Sequence, residues 1–167
     1  MGPDQAASVS MLARLRRELA ADRAALDARA AELGRAAGRL NDEPWQAACA
    51  VALHAWYTCL ETIIERSARA LGEALPHGPS SHRDLLSLGM TEVPGLRPAL
   101  IPERLGPDLE ALLAFRHFFR HAYAVPLDPA RLREHARRVD RIAAEVTAAL
   151  GAFDSFLHAA VVAAGSE

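Results

Sequence analysis

Residues 115–123, FRHFFRHAY, concentrate side chains that can bind phosphate and transfer protons. Arginines, histidines and a tyrosine alternate there with phenylalanines. On a helix, Arg116 and Arg120 lie one turn apart on the same side, and so do His117 and His121. The planar guanidinium of arginine matches phosphate oxygens in two-point contact, and histidine titrates near neutral pH. The segment therefore combines cations and proton-transfer groups at one place.

These groups are the ones that cleavage of RNA without a metal requires. A base takes the proton from the 2′-hydroxyl, a cation stabilises the charge on the phosphorane, and an acid protonates the leaving 5′-oxygen. No acidic cluster stands near residues 115–123 in the sequence, which disfavours a two-metal nuclease. Taken alone, a helical turn of arginine and histidine is also typical of a solvated face with surface ion pairs.

The same residues match a known motif. Arg116, four intervening residues, His121, one residue and Tyr123 form the pattern R-x4-H-x-Y. This pattern resembles the motif of HepT-like toxins in the HEPN superfamily, and His117 fits the polar residue that commonly follows the arginine.

The resemblance covers roughly Val51 to Phe153. Its helices correspond to the segments HAWYTCLETIIERSARALG, SSHRDLL and FRHFFRHAYAVPLD. It implies an up-and-down helical bundle that homodimerises, with motif residues of both chains facing one cleft. It also implies a metal-independent endoribonuclease toxin of a type II/VII-like toxin–antitoxin system, which needs no cofactor. A nucleotidyltransferase (MNT-like) antitoxin would hold the activity in check and could transfer AMP to the motif tyrosine.

Carried over by residue, the resemblance gives each motif side chain a role. Arg116 would stabilise the phosphate and His121 would act as acid or base. Tyr123 would orient the substrate or accept AMP, and His117 would be a supporting polar group. For Arg120, a phosphate contact and a surface ion pair both remain open.

Hydrophobic periodicity predicts an all-α bundle with four to five main helices in a single domain, residues 1–167. A long N-terminal helix over residues 1–40 carries leucines every seven positions, at 12, 19, 26, 33 and 40. The turn NDEP precedes a second helix that is expected to reach Leu75. Ser81 and Asp84 have the spacing of a capping box for a short third helix. A proline-rich loop with one short helical turn follows.

Two further helices complete the predicted bundle. A fourth helix begins near Pro107, and Asp128 before Pro129 predicts the start of the last. The last helix opens with the arginine-rich run ARLREHARRVDR, which is either a solvated face or a guide for RNA backbone.

Charge and cysteine content restrict the partners and the compartment. The net charge is -2 and every basic residue other than histidine is arginine, so contact with nucleic acid must come from a local patch. Cys49 and Cys59 are ten residues apart on one predicted helix, roughly 15 Å along its axis, which is too far for a disulfide. No signal peptide is visible, and no stretch approaches the roughly 20 apolar residues that span a bilayer. A cytoplasmic protein is expected.

Two other functions use the same features. One is a non-catalytic helical module that binds, and is AMPylated by, a nucleotidyltransferase partner. The other is a coiled-coil oligomerisation module built on the leucine heptads, although Arg16 and Arg23 suit a coiled-coil core poorly. Outside the motif, His54 is expected to be a satisfied core histidine. His82 and Glu61 have no partner at metal-ligand spacing.

Overall fold

Five α-helices form the part of the chain that the computed structural model describes, residues 2–121 and 126–165. The side chains of Asp4 and His121 lie outside that description. The helices are α1 (Pro3–Ala37), α2 (Glu43–Ala70), α3 (Ser81–Met90), α4 (Gly106–His121) and α5 (Pro129–Gly165), with a short 3-10 turn at Glu103–Leu105. No β-strand occurs among these residues, apart from one isolated bridge between Val93 and Arg97. The predicted all-α bundle is confirmed.

The three long helices build the scaffold, with α1 packed along both α2 and α5. Contacts between α1 and α5 run in antiparallel order. Gln5 Nε2 donates to the carbonyl of Ala164, Arg16 pairs with Asp154, and Thr147 donates to Asp27.

The heptad leucines of α1 lie inside the bundle. Leu19, Leu26 and Leu33 are each 1% exposed and belong to the same hydrophobic cluster as the buried residues of α2 and α5. These leucines therefore pack against this chain's own helices, as expected of an ordinary bundle helix. They do not form the seam of a zipper between two chains.

Some predicted helix ends are wrong, and local contacts explain the differences. Helix α2 ends at Ala70 instead of Leu75, because Gly72 adopts a φ of 75° and the next amide, of Glu73, bonds back to the carbonyl of Ala68. Helix α3 is preceded by Ser80, whose hydroxyl donates to Asp84 Oδ2, so the proposed capping residue is displaced by one position.

The start of α5 agrees with the sequence. The carboxylate of Asp128 accepts from the backbone amide of Ala130 at 2.9 Å, as an N-cap residue does.

Helix α3 and the loop after it are fixed against α2. Gly89 lies directly against the fully buried side chain of Ile64, and its carbonyl accepts from the amides of Leu100 and Ile101. Arg97 is 3% exposed, pairs with Glu73 and donates to three backbone carbonyls around the loop. Because α3 carries part of the site described below, these contacts set one wall of that site.

By length and composition alone, α2 and α5 could each cross a membrane. The sequence expectation that no stretch is apolar enough is therefore wrong for these helices. In α2, 56% of the apolar window is buried inside the bundle, and in α5 the buried share is 22%. Both helices contribute to the hydrophobic core.

Substitution of Gly89 tests the close approach of α3 to α2. A Cβ at this position would lie 2.7 Å from Ile64 Cδ1, so Gly89→Ala should lower the free energy of unfolding by about 1–3 kcal/mol. Gly34→Ala is the matched control, since nothing lies within 4 Å of a Cβ there and alanine should stabilise helix α1 by about 0.5–1 kcal/mol. Urea unfolding of both variants measures the difference. Equal effects at the two positions would contradict the packing.

Candidate functional site

Helix α4 buries the motif arginine. Arg116 is 7% exposed, and its Nε lies 3.0 Å from Glu61 Oε2 on α2. Arg120, one turn later, is exposed. The two arginines thus share a helix side, as predicted, but they differ in environment. Arg116 is held inside the bundle wall while Arg120 remains at the surface.

Aromatic rings hold α4 against its neighbours. Phe115 is buried, and its ring stacks on Phe119 at a centroid distance of 6.0 Å and contacts the His135 ring of α5 at 4.9 Å. Phe118, in contrast, is 41% exposed. Two of the rings therefore fix the rotation of α4 that turns Arg116 towards α2.

The carboxylate of Glu61 also contacts an imidazole. Its Oε1 lies 2.9 Å from Nδ1 of His82 on α3, while its Oε2 faces Arg116. Both contacts are 3.0 Å or shorter, although neither Glu61 Oε1 nor Arg116 Nε makes an ideally aligned hydrogen bond. Glu61 therefore joins α2, α3 and α4 at one point. In the sequence, Glu61 and His82 have no partner at metal-ligand spacing, and this contact between helices was not predicted.

Burial and neighbouring charge act on Glu61 in opposite directions. Glu61 is 6% exposed, and this burial raises the pKa of its carboxyl above the usual value. The charges of Arg116 and His82 lower that pKa and only partly offset the rise. A carboxylate in such a setting depends on its cationic partners to remain ionised.

A groove of about 560 Å³ lies between α3 and α4, above this cluster. Arg116 and His82, the two partners of Glu61, both reach its wall, and further basic and polar groups surround them. The lining residues are Pro79, Ser80, His82, Arg83, Glu110, Leu113, Ala114, Arg116 and His117. The motif residues Arg116 and His117 are thus brought together with two basic residues of α3, His82 and Arg83, that the motif does not contain.

One face of α2 carries polar side chains into this region. His54, Tyr57 and Glu61 recur at intervals of three and four residues, which places them on one face of α2. Burial lowers the pKa of the His54 imidazole, and the positive charges of Arg116 and Arg120 lower it further. The ring of His54 lies 5.6 Å from that of Phe119, and its buried Nδ1 has no hydrogen-bond partner. The prediction of a satisfied core histidine is wrong.

Tyr57 is a second buried polar side chain on this face of α2. It is 1% exposed, its hydroxyl makes no hydrogen bond, and burial raises the pKa of the phenol. The helical repeat of polar residues in α2 was the sequence signal for this face. It was missed because each residue was considered alone.

The remaining motif positions lie partly outside the description. His121 is the last residue of α4, but its side chain is not described, and Tyr123 lies in the undescribed segment 122–125. Their proposed roles in proton transfer and as an AMP acceptor remain predictions.

The arginine-rich start of α5 is partly neutralised. Arg138 and Arg141 both contact Asp108 of α4, and Arg138 also contacts Glu134 within its own helix. These contacts favour a structural role for these two arginines over that of a free basic guide for RNA. Among the described residues, no three His, Cys, Asp or Glu side chains are grouped as metal ligands would be.

These features define a class of protein: an all-α bundle with an arginine–histidine groove beside its fourth helix. A family model described as HepT-like protein matches residues 48–157. The chain belongs to the HepT-like family, which confirms the resemblance found in the sequence and suggests a HEPN-type toxin module. No curated protein and no solved structure gives a significant match.

Removal of Arg116 should destabilise the fold in a pH-dependent manner. Arg116→Ala leaves a buried carboxylate without its guanidinium, which should cost about 3–5 kcal/mol at neutral pH. Because the pKa of Glu61 is raised in the folded state, the stability that this carboxyl contributes is fully present below its unfolded-state pKa. That stability is lost as the pH rises through its folded-state pKa. The cost should therefore shrink as the pH falls towards the usual carboxyl value of 4.5.

Urea unfolding at neutral and acidic pH measures this effect. Arg69→Ala is the control, because Arg69 forms an exposed pair with Glu65 on the same helix and should change stability by less than about 0.5 kcal/mol at either pH. If the stability lost in Arg116→Ala does not depend on pH, an unpaired Glu61 carboxylate is not the cause of the loss.

Proposed function

We propose that the protein is a metal-independent endoribonuclease toxin of a type II/VII-like toxin–antitoxin system. One observation carries the proposal: the arginine of the family motif, Arg116, lines a groove and is fixed there by a buried carboxylate. In an ordinary solvated face, this arginine would be exposed and mobile. Membership of the HepT-like family supports the same assignment.

Arg116 suits stabilisation of the phosphorane. A guanidinium that is already fixed loses little conformational freedom when it binds the developing charge, and its two remaining nitrogens can contact phosphate oxygens. Arg83 and His117 line the same groove and add positive or polar character beside it. The groove is large enough, at about 560 Å³, to take a nucleotide-sized group.

The proton-transfer role in this proposal belongs to His121. It follows His117 by one helical turn and closes α4, where the helix dipole favours an imidazolium. His117 is a supporting polar group, and the exposed Arg120 is available to the RNA backbone. We propose a homodimer, in which a twofold axis brings two copies of the motif to one cleft, and no cofactor takes part.

Control of the activity forms part of the same proposal. A nucleotidyltransferase antitoxin would bind the toxin, and Tyr123 would accept AMP from it. A reducing, cytoplasmic setting suits the two free thiols, Cys49 and Cys59. Mass spectrometry of Tyr123 after co-expression with the partner addresses the modification.

Cleavage of RNA by the purified protein in excess EDTA tests the proposed activity. Wild-type protein should cut, and His121→Ala should be slower by about 10²–10⁴-fold, the usual contribution of a general acid or base. Arg116→Lys should also lose most activity, because lysine keeps the charge but lacks the two-point fork. His77→Ala, at an exposed position that does not line the groove, is the control and should cut normally.

Two outcomes would contradict the assignment. Equal cutting by wild type and His121→Ala would remove His121 from the mechanism. A folded wild-type protein that cuts no RNA, but loses binding to the nucleotidyltransferase on Arg116→Ala, would favour the non-catalytic module.

A further inference from the structure

We propose that His82 of α3 is the general base of the groove and that Glu61 positions it. This inference rests on the proposed RNA cleavage and adds a proton acceptor that lies outside the motif helix. It assigns His121 the role of acid.

The two ends of the His82 ring face different surroundings. Its Nδ1 lies 2.9 Å from the carboxylate of Glu61, whose side chain is 8% exposed. The His82 side chain as a whole is 41% exposed and lines the groove. A carboxylate beside Nδ1 favours the tautomer with its proton on that nitrogen, which leaves the lone pair of Nε2 free to accept a proton. A carboxylate orients the base of hydrolytic triads in the same way.

One carboxylate fixes the base and the cation relative to each other. Oε1 of Glu61 contacts His82 and Oε2 contacts Arg116. The helix that carries His82 is itself fixed, since α3 packs on α2 through the close contact of Gly89 with Ile64. A phosphodiester bound by Arg116 would therefore have the imidazole of His82 close to it in the same groove.

Charged and titratable side chains surround Glu61, His82 and Arg116. The other charged or titratable groups around the cluster come from all three helices that meet there. They are Tyr57 of α2, Arg83 of α3, and Glu110, His117 and Arg120 of α4.

The proposed cleavage step needs only His82, Arg116 and His121. Nε2 of His82 takes the proton from the 2′-hydroxyl while the 2′-oxygen forms a bond to phosphorus. Arg116 stabilises the charge on the phosphorane oxygens. The bond from phosphorus to the 5′-oxygen then breaks, and that oxygen takes a proton from the imidazolium of His121. The products are a 2′,3′-cyclic phosphate and a 5′-hydroxyl.

The inference changes what a second chain must supply. The family resemblance implies a cleft shared by motif residues of two chains. With His82, a single groove holds the base and the phosphate-binding cation. Only the acid, His121, then has to come either from the same chain or from its twofold-related copy.

Replacement of His82 tests the inference, with the pH dependence of cleavage as the main measurement. His82→Gln should reduce kcat by about 10²–10⁴-fold and should flatten the acid limb of the pH–rate profile, where a base must lose its proton to act. Free imidazole should restore part of the activity of His82→Ala, because the groove is open to solvent, and should not restore that of Arg116→Lys. His77→Gln is the matched control for loss of an imidazole.

Replacement of Glu61 tests the positioning role. Glu61→Gln keeps the shape of the side chain but removes its charge, so it should lower kcat more than it alters KM and should shift the acid limb. Glu65→Gln, one turn further along α2 in an exposed pair with Arg69, should leave kcat, KM and the pH–rate profile unchanged. Thermal unfolding of each variant confirms that it is folded.

The outcomes separate this inference from the proposed function. Wild-type cleavage with His82→Gln cutting within about threefold of it overturns the role of His82 and leaves the ribonuclease assignment intact. His82 is purely structural if His82→Gln is slow but its pH–rate profile keeps the acid limb of the wild type, and if free imidazole does not restore activity to His82→Ala. A wild-type protein that cuts no RNA overturns both.

Discussion

The buried contact between Glu61 and Arg116 is the constraint on which the rest of the site depends. Burial of a guanidinium costs folding free energy, and a carboxylate beside it offsets that cost. That contact fixes the rotation of α4 against α2, and the rings of Phe115 and Phe119 support the same rotation. The second oxygen of Glu61 then brings in His82, so one acidic side chain determines the arrangement of three helices around the groove.

The fold was largely predictable because leucine periodicity is a strong signal. The heptad leucines of α1 and the spaced apolar residues of α5 identified two long helices, and both bury those residues in the bundle. The end of α2 was less predictable. Gly72 stops that helix through its left-handed conformation and a backbone bond to Ala68, whereas apolar periodicity continues as far as Leu75. Periodicity describes which face is buried, but backbone hydrogen bonds decide where a helix ends.

The site was predictable on its own helix and much less so beyond it. Arg116 and His117 were found from the motif, since their spacing is local. Glu61 and His82 were missed because their importance comes from contacts between helices distant in the sequence, which spacing along one helix does not reveal. The polar repeat on α2 would have indicated a buried polar face, but its partner on α4 could be identified only from the packed structure.

The location of Glu61 on α2 affects how other members of the family are to be classified. A relative that retains the arginine of α4 but has an apolar residue in place of this acid would bury a guanidinium without a counter-charge. Its arginine would have to turn out to solvent, and the groove would lose its fixed cation. The short motif would still be complete in such a chain. Whether a relative keeps a fixed arginine in the groove can therefore be judged only when α2 and α4 are compared together.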